Sequence, residues 1–144
     1  MDFLFSFKFL KIALLSAVLF ILLDFLWLAV IASPWYRNAL GYLSQLSAEG
    51  KITFNIPAGL IAQFAISFTL SFVIMLSLQV DNRLVTAMLV GGFIGLAFYA
   101  CYDFTNLSFV KDWPLWISLI DMAWGTLQGV IGGVVVYFLA NILK

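Results

Sequence analysis

Four long runs of apolar residues, separated by short polar segments, dominate the chain. They cover about residues 10–33, 56–78, 84–105 and 115–143, and each reaches the ~20 apolar residues that a helix needs to cross a bilayer. Charged and turn-forming residues mark the connections at Ala48-Glu49-Gly50-Lys51, Asp81-Asn82-Arg83 and Lys111-Asp112-Trp113-Pro114. The pattern predicts an all-α membrane protein, with four transmembrane helices in an antiparallel bundle and a single domain over residues 1–144.

A short amphipathic segment follows the first run. Ser33-Pro34 combines an N-cap residue with proline at the first helical position, and apolar residues recur behind it at intervals of three and four. We expect a short helix over about residues 34–47 that lies in the membrane interface. For the first run, a signal peptide cleaved near Ala32 is the alternative, but a signal core spans only roughly 7–15 residues, and this run contains Asp24.

Composition and charge narrow the classes of function. Hydrophobic residues make up 65% of the chain and charged residues 10%, and the net charge is zero, so a nucleic-acid partner is not expected. The chain has no histidine and a single cysteine, Cys101, which excludes the usual zinc, haem and iron–sulfur ligand sets. We therefore expect no metal and no cofactor, and only an all-oxygen cation site stays open.

Basic residues give the orientation. An even number of spans places both termini of this multi-pass protein on one side, and we expect that side to be the cytoplasm. Cytoplasmic loops usually carry more lysine and arginine than external loops. With both termini inside, four basic residues lie inside and three outside: Lys8, Lys11, Arg83 and Lys144 against Arg37, Lys51 and Lys111.

Carboxylates inside the apolar runs are the most informative residues. Asp24, Asp103 and Asp121 lie in or at the end of such runs, where a charged group costs ~2.5–3.5 kcal/mol and should face protein or water. A rise of ~1.5 Å per residue places Asp24, Gln63 and Asp121 at similar depths, in the half of the bilayer opposite the termini.

These side chains predict a polar pocket inside the bundle. Because neighbouring carboxylates cannot all stay ionised in a low-dielectric site, at least one should hold a proton or pair with Arg37 or Lys111 at the rim. The alternative is that the acids are structural hydrogen-bonding groups between helices. The candidate pocket residues are Asp24, Trp27, Gln63, Tyr99, Tyr102, Asp103, Asn106, Asp121, Trp124 and Gln128.

Small residues recur every fourth position in the last two runs. Ala87, Gly91 and Gly95 form one stripe, and Gly125, Gly129 and Gly133 form another, which is the pattern that lets two membrane helices approach closely. We expect the two stripes to pack against each other within one chain, since short connections usually join neighbouring helices. A homodimer through Gly125, Gly129 and Gly133 is the alternative, so the chain is expected as a monomer or such a dimer.

Several motifs resemble those of one known family. The chain carries Asp24-x-x-Trp27-Leu28, Tyr99-x-x-Tyr102-Asp103-x-Thr105-Asn106, Lys111-Asp112-Trp113-Pro114 and Asp121-x-x-Trp124-Gly125. Together they resemble a family of small bacterial four-span predicted membrane proteins catalogued as a domain of unknown function. The resemblance covers nearly the whole chain and implies a bacterial inner-membrane protein, without an activity, cofactor or catalytic residue.

Three hypotheses of function follow. The first is binding or transport of a small cationic or amphipathic ligand, or of a proton, on the pocket carboxylates. The second is a lipid-modifying enzyme that uses aspartates as acid and base, although the sequence offers no nucleophile or cofactor loop. The third is a structural or assembly subunit that works through its glycine faces. Membrane lipids are the expected surroundings in all three.

Overall fold

The computed structural model describes residues 6–51 and 53–143, and that part of the chain is helical throughout its long apolar runs. The helices are α1 (Phe7–Phe25), α2 (Ser33–Leu40), α3 (Ile56–Val80), α4 (Leu84–Phe109) and α5 (Leu115–Ile142), and a π-helical segment, Leu26–Ile31, continues α1. Four stretches are long and apolar enough to span a membrane: Phe7–Ile31, Ile56–Val80, Leu84–Phe109 and Leu115–Ile142. The predicted four-span, all-α class is confirmed, together with the short helix in the first loop.

Local chemistry sets the helix ends. Asn55 caps α3, since its side-chain oxygen accepts a hydrogen bond from the Ala58 N–H at 3.2 Å, and proline occupies the first turns of α2 and α3. The interfacial helix α2 ends at Leu40, short of the predicted residue 47. Beyond it the Ser44 hydroxyl donates to the Leu40 carbonyl at 2.9 Å, and a turn closed by Thr53 N–H to the Gln45 carbonyl at 2.8 Å takes the place of further helix.

Two polar contacts tie the ends of the bundle together. On the side of the termini, the Asn82 amide donates to Asn141 Oδ1 at 3.1 Å. On the opposite side, the Tyr42 hydroxyl donates to the Lys111 carbonyl at 3.1 Å. α3 packs against all three other spans, and α5 likewise contacts α1, α3 and α4. The four spans therefore alternate in direction, as an antiparallel bundle requires.

The two glycine stripes form the closest helix contact. A Cβ built on Gly129 would meet the carbonyl oxygen of Gly91, and one built on Gly95 would meet that of Gly125. The expected packing between α4 and α5 within one chain is therefore present, because only glycine lets the two backbones approach so closely. The stripe proposed as a homodimer seam is already covered by α4.

Apolar packing and polar side chains occupy opposite halves of the bundle. The apolar core lies toward the termini, where the rings of Phe9 and Phe68 meet edge to face at 5.0 Å. Its fully buried members include Phe9, Ile12, Phe20, Leu70, Ile74 and Val136. Ser67 and Ser71, four residues apart on α3, are fully buried and face the bundle. The buried acids lie in the other half, beyond this core.

Candidate functional site

Asp24 is the centre of a hydrogen-bond network near the end of α1. The residue is 6% exposed, and its carboxylate accepts three N–H groups from two other spans. Trp124 Nε1 donates to Oδ1 at 3.0 Å, and Gln128 Nε2 donates to the same oxygen at 2.9 Å. Gln63 Nε2 donates to Oδ2. Because all three donors are uncharged, they orient the carboxylate without neutralising it.

Tyr99 extends this network to α4. Its hydroxyl donates to Gln128 Oε1 at 3.0 Å, so Gln128 accepts from α4 and donates to α1. The Tyr99 ring lies against Gly125, where any Cβ would overlap it. The glycine stripe therefore also makes room for the aromatic ring that positions Gln128.

The π-helical segment positions a pair of stacked indoles beside the carboxylate. The rings of Trp27 and Trp124 are parallel within 2° with centroids 4.5 Å apart, and Trp27 Nε1 donates to the Tyr36 hydroxyl of α2 at 3.3 Å. The wider turn is visible where the Ala32 N–H donates to the Trp27 carbonyl, five residues back, at 2.7 Å. Such wide turns occur frequently at functional sites.

The other two buried acids lie in different surroundings. Asp121 is 5% exposed and close enough to Asp24 for the two charges to interact; its Oδ1 has no hydrogen-bond partner among the described residues. Asp103 is fully buried, and neither of its oxygens has such a partner there. The neighbouring Trp113 indole and Ser118 hydroxyl bond to each other at 3.0 Å.

A cavity of about 260 Å³ lies between α1 and α3, on the side of the Asp24–Gln63 pair. Its walls are apolar apart from Asp24, Gln63 and Asn55, and Gly59 lies in the middle of the α3 wall. Of the predicted pocket residues, only Asp24 and Gln63 line it. Its lining consists of Ile21, Asp24, Phe25, Leu28, Ala29, Phe54, Asn55, Ile56, Gly59, Leu60 and Gln63.

Several predicted residues lie outside this arrangement. Tyr102 is 60% exposed and packs edge to face on Trp113 at 6.1 Å, while Asn106 donates to the Tyr102 carbonyl of its own helix at 3.0 Å. Arg37 and Lys111 are exposed. In residues 6–51 and 53–143 the ion pairs are Lys51 with Glu49 and Arg83 with Asp81. The pairing of a buried acid with Arg37 or Lys111, one of the two expected alternatives, is not formed there.

Three residues that sequence reasoning missed contribute to the site. Tyr36 orients Trp27, Ser118 lies beside Asp103, and Gly59 leaves open space in the cavity wall. Gly59 could have been identified from the sequence, because an isolated glycine inside a helical run costs stability and usually has a packing or functional reason. Nothing in the sequence distinguishes Ser118 from its neighbours, whereas Tyr36, with Leu40-Gly41, is among the motifs that carry the family resemblance.

Comparison with known proteins gives one result on the family. A family model described as "Predicted membrane protein (DUF2177)" matches residues 9–138. No curated protein and no solved structure matched the chain. The resemblance inferred from the motifs is therefore confirmed over most of the sequence.

Proposed function

Because this chain belongs to the predicted membrane protein family DUF2177, whose description names no activity, we propose a function from its geometry: it binds a small cationic or amphipathic ligand, or a proton, at Asp24. The protein is a multi-pass membrane protein with four spans. Binding of a cation at a carboxylate inside the membrane is the step that the hypothesis of a binding or transport protein requires.

The lack of a charged partner for Asp24 among the described residues supports this proposal. A carboxylate in the membrane normally pairs with a cation or takes up a proton. Here Gln63, Trp124 and Gln128 supply neutral donors only, and the ion pairs of the described chain lie elsewhere. Asp24 also borders the cavity, so a positively charged group can reach it from outside the bundle.

Acid–base catalysis on a lipid is less well supported. The enzyme hypothesis uses one aspartate as acid and another as base, and both must reach the substrate. Of the three buried acids, only Asp24 borders the cavity, while Asp103 lies beside Trp113 and Ser118. We therefore place binding ahead of catalysis.

The surroundings of the site follow from the same proposal. The family resemblance implies a bacterial inner membrane. We place both termini in the cytoplasm on the basis of the four-to-three excess of basic residues, in which Lys144 counts by sequence and lies outside the described residues. Asp24 then lies in the outer half of the bilayer. One chain supplies every residue of the Asp24 network.

Octylammonium binding tests this function. The purified protein, reconstituted in phosphatidylcholine nanodiscs, is titrated with octylammonium or with neutral octanol, and heat is measured against empty nanodiscs. We expect octylammonium to bind and octanol to bind at least about tenfold more weakly. Asp24→Asn should abolish the difference between the two probes.

Asp103→Asn is the matched control, because it removes a buried acid that does not border the cavity. It should retain octylammonium binding. The proposal is wrong if the wild-type protein shows no binding beyond empty nanodiscs, or if Asp24→Asn binds octylammonium as the wild type does.

A further inference from the structure

The cavity beside Asp24 lies between two spans, and its lining is apolar apart from Asn55 and the hydrogen-bonded pair Asp24 and Gln63. We propose that the ligand is an amphipathic primary amine that enters from the lipid between α1 and α3, with its ammonium group at Asp24 and Gln63 and its chain along the cavity. This inference rests on the proposed function and adds the ligand class and the route.

The Asp24–Gln63 pair offers two acceptors for one ammonium group. Gln63 Nε2 donates to Asp24 Oδ2, and this contact fixes the amide orientation, since a carboxylate accepts and does not donate. Gln63 Oε1 is then turned away from the carboxylate, and it is buried without a hydrogen-bond partner in the described part of the chain. An ammonium group carries three donors and no acceptor, which matches a carboxylate next to an amide oxygen that lacks a donor.

The walls suit a short apolar chain. Apolar side chains that border the cavity include those of Ile21, Phe25, Leu28 and Leu60. Its volume of about 260 Å³ is slightly below the ~300–1,000 Å³ of pockets for drug-sized ligands. A single unbranched chain fits this space better than a two-chain lipid or a bulky aromatic cation.

The route follows from the exposure of the wall residues. Phe25 is 65% exposed and Ile56 is 62% exposed, and they belong to the candidate spans Phe7–Ile31 and Ile56–Val80. Toward the termini, access is blocked by buried Phe20 and Leu70. A ligand dissolved in the membrane therefore reaches Asp24 sideways, without crossing the core.

Filling the cavity tests this inference. A Cβ built on Gly59 meets no atom within 4 Å, so Gly59→Leu should occupy the cavity while the backbone packing stays intact. Ala62→Leu is the matched control, because Ala62 is exposed on the same helix and does not line the cavity. Leu60→Phe provides a second cavity-filling variant if Gly59→Leu does not fold.

Octylammonium binding to these variants is measured in the same nanodiscs, with octyltrimethylammonium as a probe that keeps the charge but lacks N–H donors. We expect Gly59→Leu to weaken octylammonium binding about tenfold or more, Ala62→Leu to leave it unchanged, and the trimethylated probe to bind the wild type about tenfold more weakly.

Each result separates this inference from the proposed function. Asp24-dependent binding that is equal in Gly59→Leu, Leu60→Phe and Ala62→Leu overturns the cavity and its route and leaves the proposed function standing. Equal binding of both probes to the wild type overturns the assignment of a primary amine. Absence of octylammonium binding in the wild type overturns both.

Discussion

Trp124 donates its indole N–H to Asp24 Oδ1 at 3.0 Å, a hydrogen bond between residues 100 positions apart. It joins the last span to the first, and the same indole stacks on Trp27. One side chain thus fixes both the carboxylate and the aromatic surface beside it.

Trp124→Phe should lower the free energy of unfolding by about 1–2 kcal/mol, because it removes one hydrogen bond to a buried charged group and keeps an aromatic ring on Trp27. The measurement is detergent-induced unfolding in mixed micelles. Trp116→Phe, at a residue 44% exposed, should change stability by less than about 0.5 kcal/mol. Equal effects of the two substitutions would contradict the role assigned to Trp124.

Two substitutions, Asp24→Asn and Gln63→Glu, should move the negative charge from position 24 to position 63. In Asp24→Asn the Gln63 amide can turn over, so that its oxygen accepts from the new amide, and the fold is retained while cation binding is lost. Adding Gln63→Glu restores a carboxylate next to the cavity. We expect the double variant to recover octylammonium binding to within about tenfold of the wild type, measured by calorimetry. A double variant that binds octylammonium as weakly as Asp24→Asn does would show that the position of the carboxylate, and not only its charge, is required.

Gly129→Ala and Gly59→Ala make the same chemical change in opposite surroundings. At Gly129 the added methyl group meets the Gly91 backbone, so a loss of about 1–3 kcal/mol is expected from overpacking. At Gly59 the methyl group meets open space, and the better helix propensity of alanine should raise stability by about 0.5–1 kcal/mol. Unfolding in mixed micelles measures both, and a loss at Gly59 would contradict the open space.

The turn between α3 and α4 predicts a dependence of stability on pH. Hydrogen bonds from the Arg83 guanidinium, and then from the Thr86 hydroxyl, hold the pKa of Asp81 below its ordinary value of 3.8. Since the folded state binds this proton more weakly than the unfolded state, the contribution is present above pH 3.8 and is lost as the pH falls through the lower, folded value. The thermal midpoint of unfolding should therefore fall at acid pH, and Arg83→Gln should make this fall smaller. An unchanged pH profile in that variant would contradict the assignment.

Much of the fold follows from counting apolar residues, because the thickness of the bilayer fixes the length of a span. The end of α2 does not follow in this way. Leu43 and Leu46 continue its helical spacing, yet the hydrogen bonds of the turn between Gln45 and Thr53 replace the helix there. The π-helical segment Leu26–Ile31 is also invisible in the sequence, since its six residues are as compatible with an α-helix.

The depth of the candidate site along the helices could be predicted from the sequence, but the direction in which each helix turns its side chains could not. The rise per residue places Asp24 and Gln63 at one height, and the two side chains are hydrogen bonded. Asp103 was expected in the same pocket, but it faces Trp113 and Ser118. The direction of a side chain depends on the rotation of its helix about its own axis, which the crossing of α4 and α5 along their glycines sets. Spacing along one helix does not contain that information.

The apolar core on the side of the termini makes the bundle asymmetric. Phe9, Phe20, Leu70 and Ile74 are closely packed there, whereas the cavity at Asp24 opens near the other surface. If the proposed ligand binds at Asp24, it can exchange with one leaflet in this conformation, and its transfer to the other leaflet requires the packed phenylalanines to separate. Loading and unloading on one face needs no such rearrangement.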